Sequence, residues 1–228
     1  MTDILTPDVP APRPLGRLRP LRRVAREATV RVLDVTVAVT VLVLAAPLVV
    51  VVYLLVRLSS PGSGLFRQVR VGADRREFVM YKFRTMRRDC DTAIHQEYVR
   101  RLLSGQVKPQ NGLYKLVDDP RVTRVGALLR RSSLDELPQL LNVLKGEMSI
   151  VGPRPCLPWE MERFPDWATD RFAVRPGLTG LWQVSGRNRL TMLDGLRLDV
   201  EYVARRTLVL NLVIMLRTVP ALLGRGAR

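Results

Sequence analysis

Asp135 and Glu136 are adjacent carboxylates in Ser133-Leu134-Asp135-Glu136-Leu137-Pro138, and four arginines, Arg121, Arg124, Arg130 and Arg131, lie just upstream. The S-x-x-E spacing of Ser133 and Glu136 is that of a capping box and predicts a helix start. Pro138 fits the first turn of such a helix. A helix N-terminus presents free N–H groups that suit phosphate, and guanidinium groups grip a diphosphate. Two carboxylates beside a phosphate make chemical sense with a divalent ion between them, because Mg2+ takes one or two carboxylates plus phosphate oxygens. On pattern alone the plainer role is capping, with both acids answering the helix dipole. Downstream, Val151-Gly152-Pro153-Arg154-Pro155 holds one guanidinium in a rigid loop. Arg175-Pro176-Gly177-Leu178-Thr179-Gly180 and Ser185-Gly186-Arg187-Asn188 are glycine-containing loops with cations, suited to an anionic nucleotide. Each of these, taken singly, is also ordinary turn chemistry with a solvated arginine. Trp182 and Gln183 lie between the two loops, and core packing is the expected role of the tryptophan.

These residues need a platform, and the chain offers a membrane-bound one. Val35 to Val56 is a run of 22 residues without a charge, bracketed by Asp34 and Arg57. A bilayer core calls for about 20 apolar residues in a helix, and a run this long exceeds any ordinary strand. Pro47 lies at its middle and predicts a kink, because proline removes one backbone bond. Seven arginines among the first 31 residues and Arg57 after the run place positive charge on both flanks. If both flanks keep to one side, a re-entrant helix satisfies them; a single spanning helix is the alternative. The whole chain has 228 residues, 37 Lys+Arg against 21 Asp+Glu and a formal charge of +16, which implies an anionic partner. Two distant cysteines and a single histidine, His95, point away from a disulfide framework and from a zinc module.

The expected fold is α+β and mostly helical. Residues 1–31 read as a basic tail and amphipathic helix on anionic headgroups, 32–58 as a re-entrant membrane helix, and 59–228 as a cytosol-facing catalytic domain. Within it, Leu65–Val71 and Glu77–Thr85 alternate like the strands of a hairpin. Residues 87–106 are polar and helical in pattern. A helical segment from Val122 to Leu144 is interrupted near Arg131–Ser133, 160–172 and 191–206 follow as helices, and Leu208–Leu223 is expected to lie in the membrane interface.

Taken together, SPGSGLFRQVRVG, FVMYKFRTM, DPRVTRVGALLRRSSLDELPQLLNVLKGEMSIVGPRP and RPGLTGLWQVSGRN resemble the bacterial sugar transferase family in its minimal catalytic form, the monotopic polyprenyl-phosphate phosphoglycosyl transferases. The resemblance covers most of residues 32–219. It implies a membrane helix that breaks at Pro47, with Ala46 standing where members often carry serine, and a catalytic domain on the cytoplasmic face of the bacterial inner membrane. It implies Mg2+ as cofactor, held at Asp135 and Glu136, and a UDP-sugar and polyprenyl (undecaprenyl) phosphate as substrates. Asp135 falls on the family nucleophile, which attacks the β-phosphorus of the UDP-sugar, expels UMP and carries the phosphosugar to the lipid phosphate. Glu136 is implicated in metal placement or in deprotonating the acceptor. Arg130 and Arg154 fit phosphate clamps, and Lys82, Arg84, Arg175, Gln183 and Arg187 are further substrate- or phosphate-binding positions. Aspartate is a recognised nucleophile toward phosphorus.

The anionic phospholipid surface is the other expected partner, and self-association and downstream glycosyltransferases are the protein contacts left open. A membrane-tethered nucleic-acid binder would also use the +16 charge, but no reading motif is present and nucleic acid is not expected as a partner. An inactive glycan-assembly scaffold is disfavoured by the retained Asp135 and Glu136. The variable segment Thr92–Leu116 is a candidate for sugar discrimination.

Overall fold

The structure is a computed structural model in which residues 20–87, 100–101, 119, 121–186 and 190–223 are described. It is mostly helical, with a long N-terminal apolar helix and two small two-stranded sheets. Helix α1 spans Pro20–Ser59, 40 residues. Valine-rich sequence is a weak helix former in water, but in a lipid environment the backbone must satisfy its own hydrogen bonds, and a helix does so. The sequence pattern divides the amphipathic segment from the membrane run and breaks the latter at Pro47. In the structure the two segments form one helical element, α1, with Pro47 inside it. The reason lies in its packing. Val30, Asp34, Ala38, Val52 and Val56 are buried along one stripe, at the i, i+4 spacing of a helix face. Ala38 joins a core with Met80, Leu140, Val143, Ile150 and Ile214. Val52 and Val56 join a second with Phe83 and Leu129. Contacts on both sides of Pro47 hold the chain helical where one missing backbone bond would weaken it. Ala46 and Pro47 themselves are exposed, as are Val39, Val43, Leu44, Leu48, Val51 and Leu55.

The two ends of α1 are also bound to the body by polar contacts. Near its start, Arg31 donates to the carbonyls of Val143 and Leu144, and Asp34 accepts from Ser149 Oγ at 2.9 Å and the Ile150 N–H at 2.8 Å. Past its other end, the buried Arg84 donates to the carbonyls of Ser60 at 2.7 Å and Pro61 at 2.5 Å. These are the orphan carbonyls of a helix terminus and the turn beyond it, where a cation is favoured. Replacing Arg84 with methionine is expected to cost about 2–3 kcal/mol, the scale of losing charge-assisted bonds to buried acceptors. Thermal unfolding in detergent measures it.

Strands β1 (Leu65–Val71) and β2 (Glu77–Phe83) form the expected antiparallel hairpin, running from Leu65 opposite Phe83 to Val71 opposite Glu77. The second strand ends two residues earlier than its pattern suggests, where Arg84 turns toward α1. Helix α2 (Arg124–Ser132) is capped by Thr123, whose hydroxyl accepts from the Gly126 N–H at 2.9 Å. A 3-10 turn over Leu134–Glu136 and helix α3 (Gln139–Lys145) follow. Strand β3 (Ser149–Val151) pairs in parallel with β4 (Gly177–Thr179), a pair absent from the sequence reading. Between them the stretch expected as one helix over 160–172 is split into α4 (Pro158–Met161) and a 3-10 segment, Asp166–Ala173, because Pro165 intervenes. Short helix α5 (Leu181–Val184), α6 (Met192–Arg205) and α7 (Leu208–Leu223) complete the order. Trp182 packs as expected: it is buried with Met192, and its ring occupies the space a Cβ on Gly195 would need, 2.2 Å away. On α7, Asn211 and Ile214 face inward while Leu208, Val209, Leu212, Leu216 and Val219 form an exposed apolar stripe.

Candidate functional site

The acidic pair sits at a junction of helices whose local geometry differs from the capping box. Ser133 is left-handed, with φ 56°, and its side chain caps nothing. The helix ends there, the chain reverses its twist, and Asp135 and Glu136 fall in the tight 3-10 turn before α3. A non-glycine residue in that region is strained, and the conformation turns Asp135 inward to 9% exposure.

Cations surround the pair. Lys82 of β2 donates to Glu136 Oε1 at 3.2 Å. Burial pulls the Lys82 ammonium below its ordinary pKa, while Glu136 and, more weakly, Asp135 oppose that shift. Arg130, from the last turn of α2, anchors its Nε on Thr85 Oγ1 at 2.9 Å. Burial lowers its pKa as well, and Asp135 is the largest opposing charge. The Asp135 carboxylate thus lies in the fields of both Lys82 and Arg130. Gly126 makes this approach feasible: a Cβ there would fall 2.0 Å from the Thr85 carbonyl oxygen, so only glycine lets α2 close on the end of β2.

A shallow cleft opens beside Glu136, lined by Arg70, Met80, Lys82, Gln139, Arg154, Gly177 and Gln183 among others. Of the residues read from the sequence, Lys82, Glu136, Arg154 and Gln183 are therefore brought to one cleft, with Asp135 and Arg130 adjoining it. Arg84 is not there; its guanidinium is turned to the end of α1. Arg175 does not line the cleft. Arg187 and the Thr92–Leu116 segment, apart from 100–101, lie outside the described residues. Arg70 and Gln139 were missed. Arg70 could have been found from the hairpin register: Phe66 pairs with Lys82 and Arg70 with Phe78, so Arg70 and Lys82 share one face.

Arg154 is positioned from behind. Arg171 donates from Nη2 both to the Arg154 carbonyl and to Asp199 Oδ2, the latter at 2.7 Å, and Asp199 hydrogen-bonds the Arg154 backbone in turn. Both members of this ion pair are buried, Arg171 at 3% and Asp199 at 1% exposure. Burial raises the Asp199 carboxyl from 3.8 to about 6, against the pull of Arg171. The sign follows from linkage. Between those values the folded protein binds a proton the unfolded chain does not, so this group's contribution to stability declines as pH rises from about 4 to 6. Its grip on Arg171 changes the other way, because only the carboxylate attracts the guanidinium. Asp199→Asn is expected to lower kcat/KM at neutral pH ten- to a hundredfold, the scale of a misplaced binding group. The parent protein is expected to show an activity step near pH 6, and the variant to lack it. Parallel pH profiles of turnover and unfolding for the two proteins check both signs.

The pair Asp135–Glu136 offers hard carboxylate oxygens, and among the described residues no group of three or more metal-ligating side chains is gathered. Two carboxylates with the remaining positions open to water and phosphate oxygens fit Mg2+, which does not demand an all-protein cage.

Residues 25–225 match the family described as Bacterial sugar transferase. The Exopolysaccharide production protein ExoY of Rhizobium meliloti is 41% identical over 217 residues, covering 95% of this chain and 93% of that protein. The UDP-glucose:undecaprenyl-phosphate glucose-1-phosphate transferase of Caulobacter vibrioides is 42% identical over 213 residues, 90% of this chain and 73% of the relative. The Undecaprenyl-phosphate galactose phosphotransferase of Salmonella typhimurium is 38% identical over 199 residues, 86% of this chain and 40% of that longer protein.

Proposed function

The chain belongs to the bacterial sugar transferase family, and from that premise we propose that it transfers a sugar 1-phosphate from a UDP-sugar to polyprenyl (undecaprenyl) phosphate. The products are the polyprenyl-diphosphate sugar and UMP, in the synthesis of exopolysaccharide or capsule. The observation that carries this reading is one acidic pair, Asp135 buried and Glu136 half-buried, set among Lys82, Arg130 and Arg154 at a cleft edge. Cations so arranged suit a diphosphate, and a carboxylate among them suits attack on it.

The reaction runs in two displacements at one phosphorus. A carboxylate oxygen of Asp135 bonds the β-phosphorus as the bond to the UMP oxygen breaks; UMP departs and an acyl phosphate remains. An oxygen of polyprenyl phosphate then bonds that phosphorus, the acyl phosphate bond breaks, and the Asp135 carboxylate is restored. Lys82, Arg130 and Arg154 offset repulsion between carboxylate and phosphates and stabilise the charge of the transition state. Glu136, held by Lys82, is suited to take the acceptor's proton or to share a metal with Asp135. Mg2+, when bound, supplies further neutralisation of phosphate charge.

The same reading includes a monotopic attachment to the cytoplasmic face. Residues 35–56 would measure about 33 Å as a helix at 1.5 Å per residue, near the thickness of a bilayer core. Yet Asp34 before this stretch and the turn after Ser59 are both hydrogen-bonded to the one catalytic body. A helix tethered at both ends supports return to the side it left, with the exposed stripes of α1 and α7 against lipid. Cysteine labelling at positions 10 and 110 tests it: both react from one side, and opposite sides would refute the topology. For the activity, UMP release is measured across a panel of UDP-sugars with undecaprenyl phosphate and Mg2+. Release with at least one sugar is expected; none with any would overturn the assignment.

A further inference from the structure

Three consecutive carbonyls of the loop that presents Arg154 are each held by a different element. The Pro153 carbonyl accepts from the Gly177 N–H of β4 at 2.9 Å, the Arg154 carbonyl from Arg171 Nη2, and the Pro155 carbonyl from Arg70 Nη1 of β1 at 3.1 Å. Val71, the next residue of β1, adds a fourth contact by donating its N–H to the Cys156 carbonyl at 2.9 Å. Proline at positions 153 and 155 fixes φ and leaves no N–H there, so the loop is attached mainly through its carbonyls. Two of the four contacts come from the hairpin, which also carries Lys82.

Arg70 suits this attachment better than contact with substrate. It lines the shallow cleft with Lys82 and Arg154, yet all three of its side-chain nitrogens donate within the protein. Nη1 donates to Pro155, and Nε and Nη2 donate to Gln68 Oε1 at 3.2 and 2.7 Å. Glu160 supports the guanidinium: its Oε2 lies 4.0 Å from Arg70 Nη1 and accepts the Leu157 N–H at 2.7 Å, and 6% of its side chain is exposed. A planar fork of donors can span Gln68 on its own strand and Pro155 on another segment at once, whereas an ammonium is a single point charge. Electrostatics makes the anchoring necessary. Lys82 meets both Arg70 and Arg154 as like charges, so three cations left unfixed would move apart.

We infer that Arg70, oriented by Glu160, is a positioning residue that sets where Arg154 stands relative to Lys82, and so aligns two cations on the diphosphate undergoing transfer. The inference rests on the reaction proposed above. Charge on the phosphate oxygens redistributes as the bond to UMP breaks, so a displaced guanidinium loses more in the transition state than in the bound substrate. A misplacement of about 1 Å is enough to cost about a hundredfold in rate.

The test uses the full chain in detergent with undecaprenyl phosphate, Mg2+ and the UDP-sugar that the parent uses best among UDP-glucose, UDP-galactose and UDP-N-acetylglucosamine. Arg70→Gln, Arg70→Lys and Glu160→Gln are each made alone and together with Arg154→Ala, and kcat and KM are taken per folded protein. Arg70→Gln is expected to lower kcat about 10- to 100-fold and to leave KM for the UDP-sugar within about threefold of the parent. Arg70→Lys should recover little, because the charge is kept and the fork is lost. Glu160→Gln keeps an acceptor for the Leu157 N–H and should give the same pattern in weaker form; it carries the comparison if Arg70→Gln does not fold. In the Arg154→Ala background, Arg70→Gln and Glu160→Gln should each cost no more than about a further twofold, because the group they position is gone. Losses that multiply in full in that background would overturn the inference, since general loosening of the fold and direct contact with phosphate both predict them. Near-parental turnover by Arg70→Lys, with a raised KM in Arg70→Gln, would overturn it too and assign Arg70 to the phosphate. A parent protein that releases UMP from no UDP-sugar would overturn the reaction and the inference with it, a failure distinguishable from full multiplication in an active parent.

Discussion

Asp135→Asn is expected to abolish sugar-phosphate transfer, lowering UMP release at least a thousandfold. The exchange preserves shape and removes the proposed nucleophile: an amide oxygen does not form the acyl phosphate that a carboxylate does. Losses of this size are usual when the atom that makes the covalent intermediate is deleted. The fold should survive, because Glu136 still neutralises Lys82 at 3.2 Å and Arg130 keeps its bond to Thr85. Membrane binding should also survive, since the exposed stripes of α1 and α7 are untouched. Intact mass after incubation with UDP-sugar alone is the direct check. The parent protein should gain one sugar-phosphate, the variant none. Turnover retained by the variant would remove Asp135 from the role.

Gly177→Ala should be the most damaging change that adds a single methyl. A Cβ at this position would fall 2.0 Å from the Gly152 nitrogen, 2.4 Å from the Thr179 oxygen and 2.6 Å from the Gly152 Cα. All three are backbone atoms, so no side chain can swing away. The parallel pair of β3 and β4 would have to separate, breaking the bonds from the Gly152 N–H to the Thr179 carbonyl at 2.9 Å and from the Gly177 N–H to the Pro153 carbonyl at 2.9 Å. A cost of about 4 kcal/mol or more is expected, at the upper end of single substitutions. Activity should fall beyond what unfolding explains, because the two parting loops carry Arg154 and lead to Gln183. Thermal unfolding together with kcat/KM on the folded fraction measures both effects. Retention of the parent's stability would show that the loops do not need this closeness.

What the sequence reveals depends on the range over which each interaction acts. An uncharged stretch of 22 residues can be read as a membrane helix because lipid constrains every residue in it. The β1–β2 hairpin is legible because its alternation and its turn are local. Asp135, Glu136 and Arg154 are legible because they sit in extended motifs. Strands β3 and β4 are three residues each, and Ser149, Ile150 and Val151 are all buried, so there is no alternation to detect. The left-handed Ser133 defeats the capping-box pattern because the box describes spacing, not φ. Arg84 looks like any basic residue in FVMYKFRTM; its partners are backbone carbonyls of residues 56 to 61, which no side-chain pattern records.

The tethering of α1 at both ends bears on how this protein responds to the lipids around it. A helix that must reach the far leaflet is strained when the acyl chains are too long or too short, and such mismatch sorts spanning proteins among membranes. If α1 returns to its own domain, as proposed above, it has no second headgroup layer to meet. Lengthening the acyl chains of a reconstituted bilayer should then leave its insertion nearly unchanged, whereas loosening the packing of the one leaflet it enters should not.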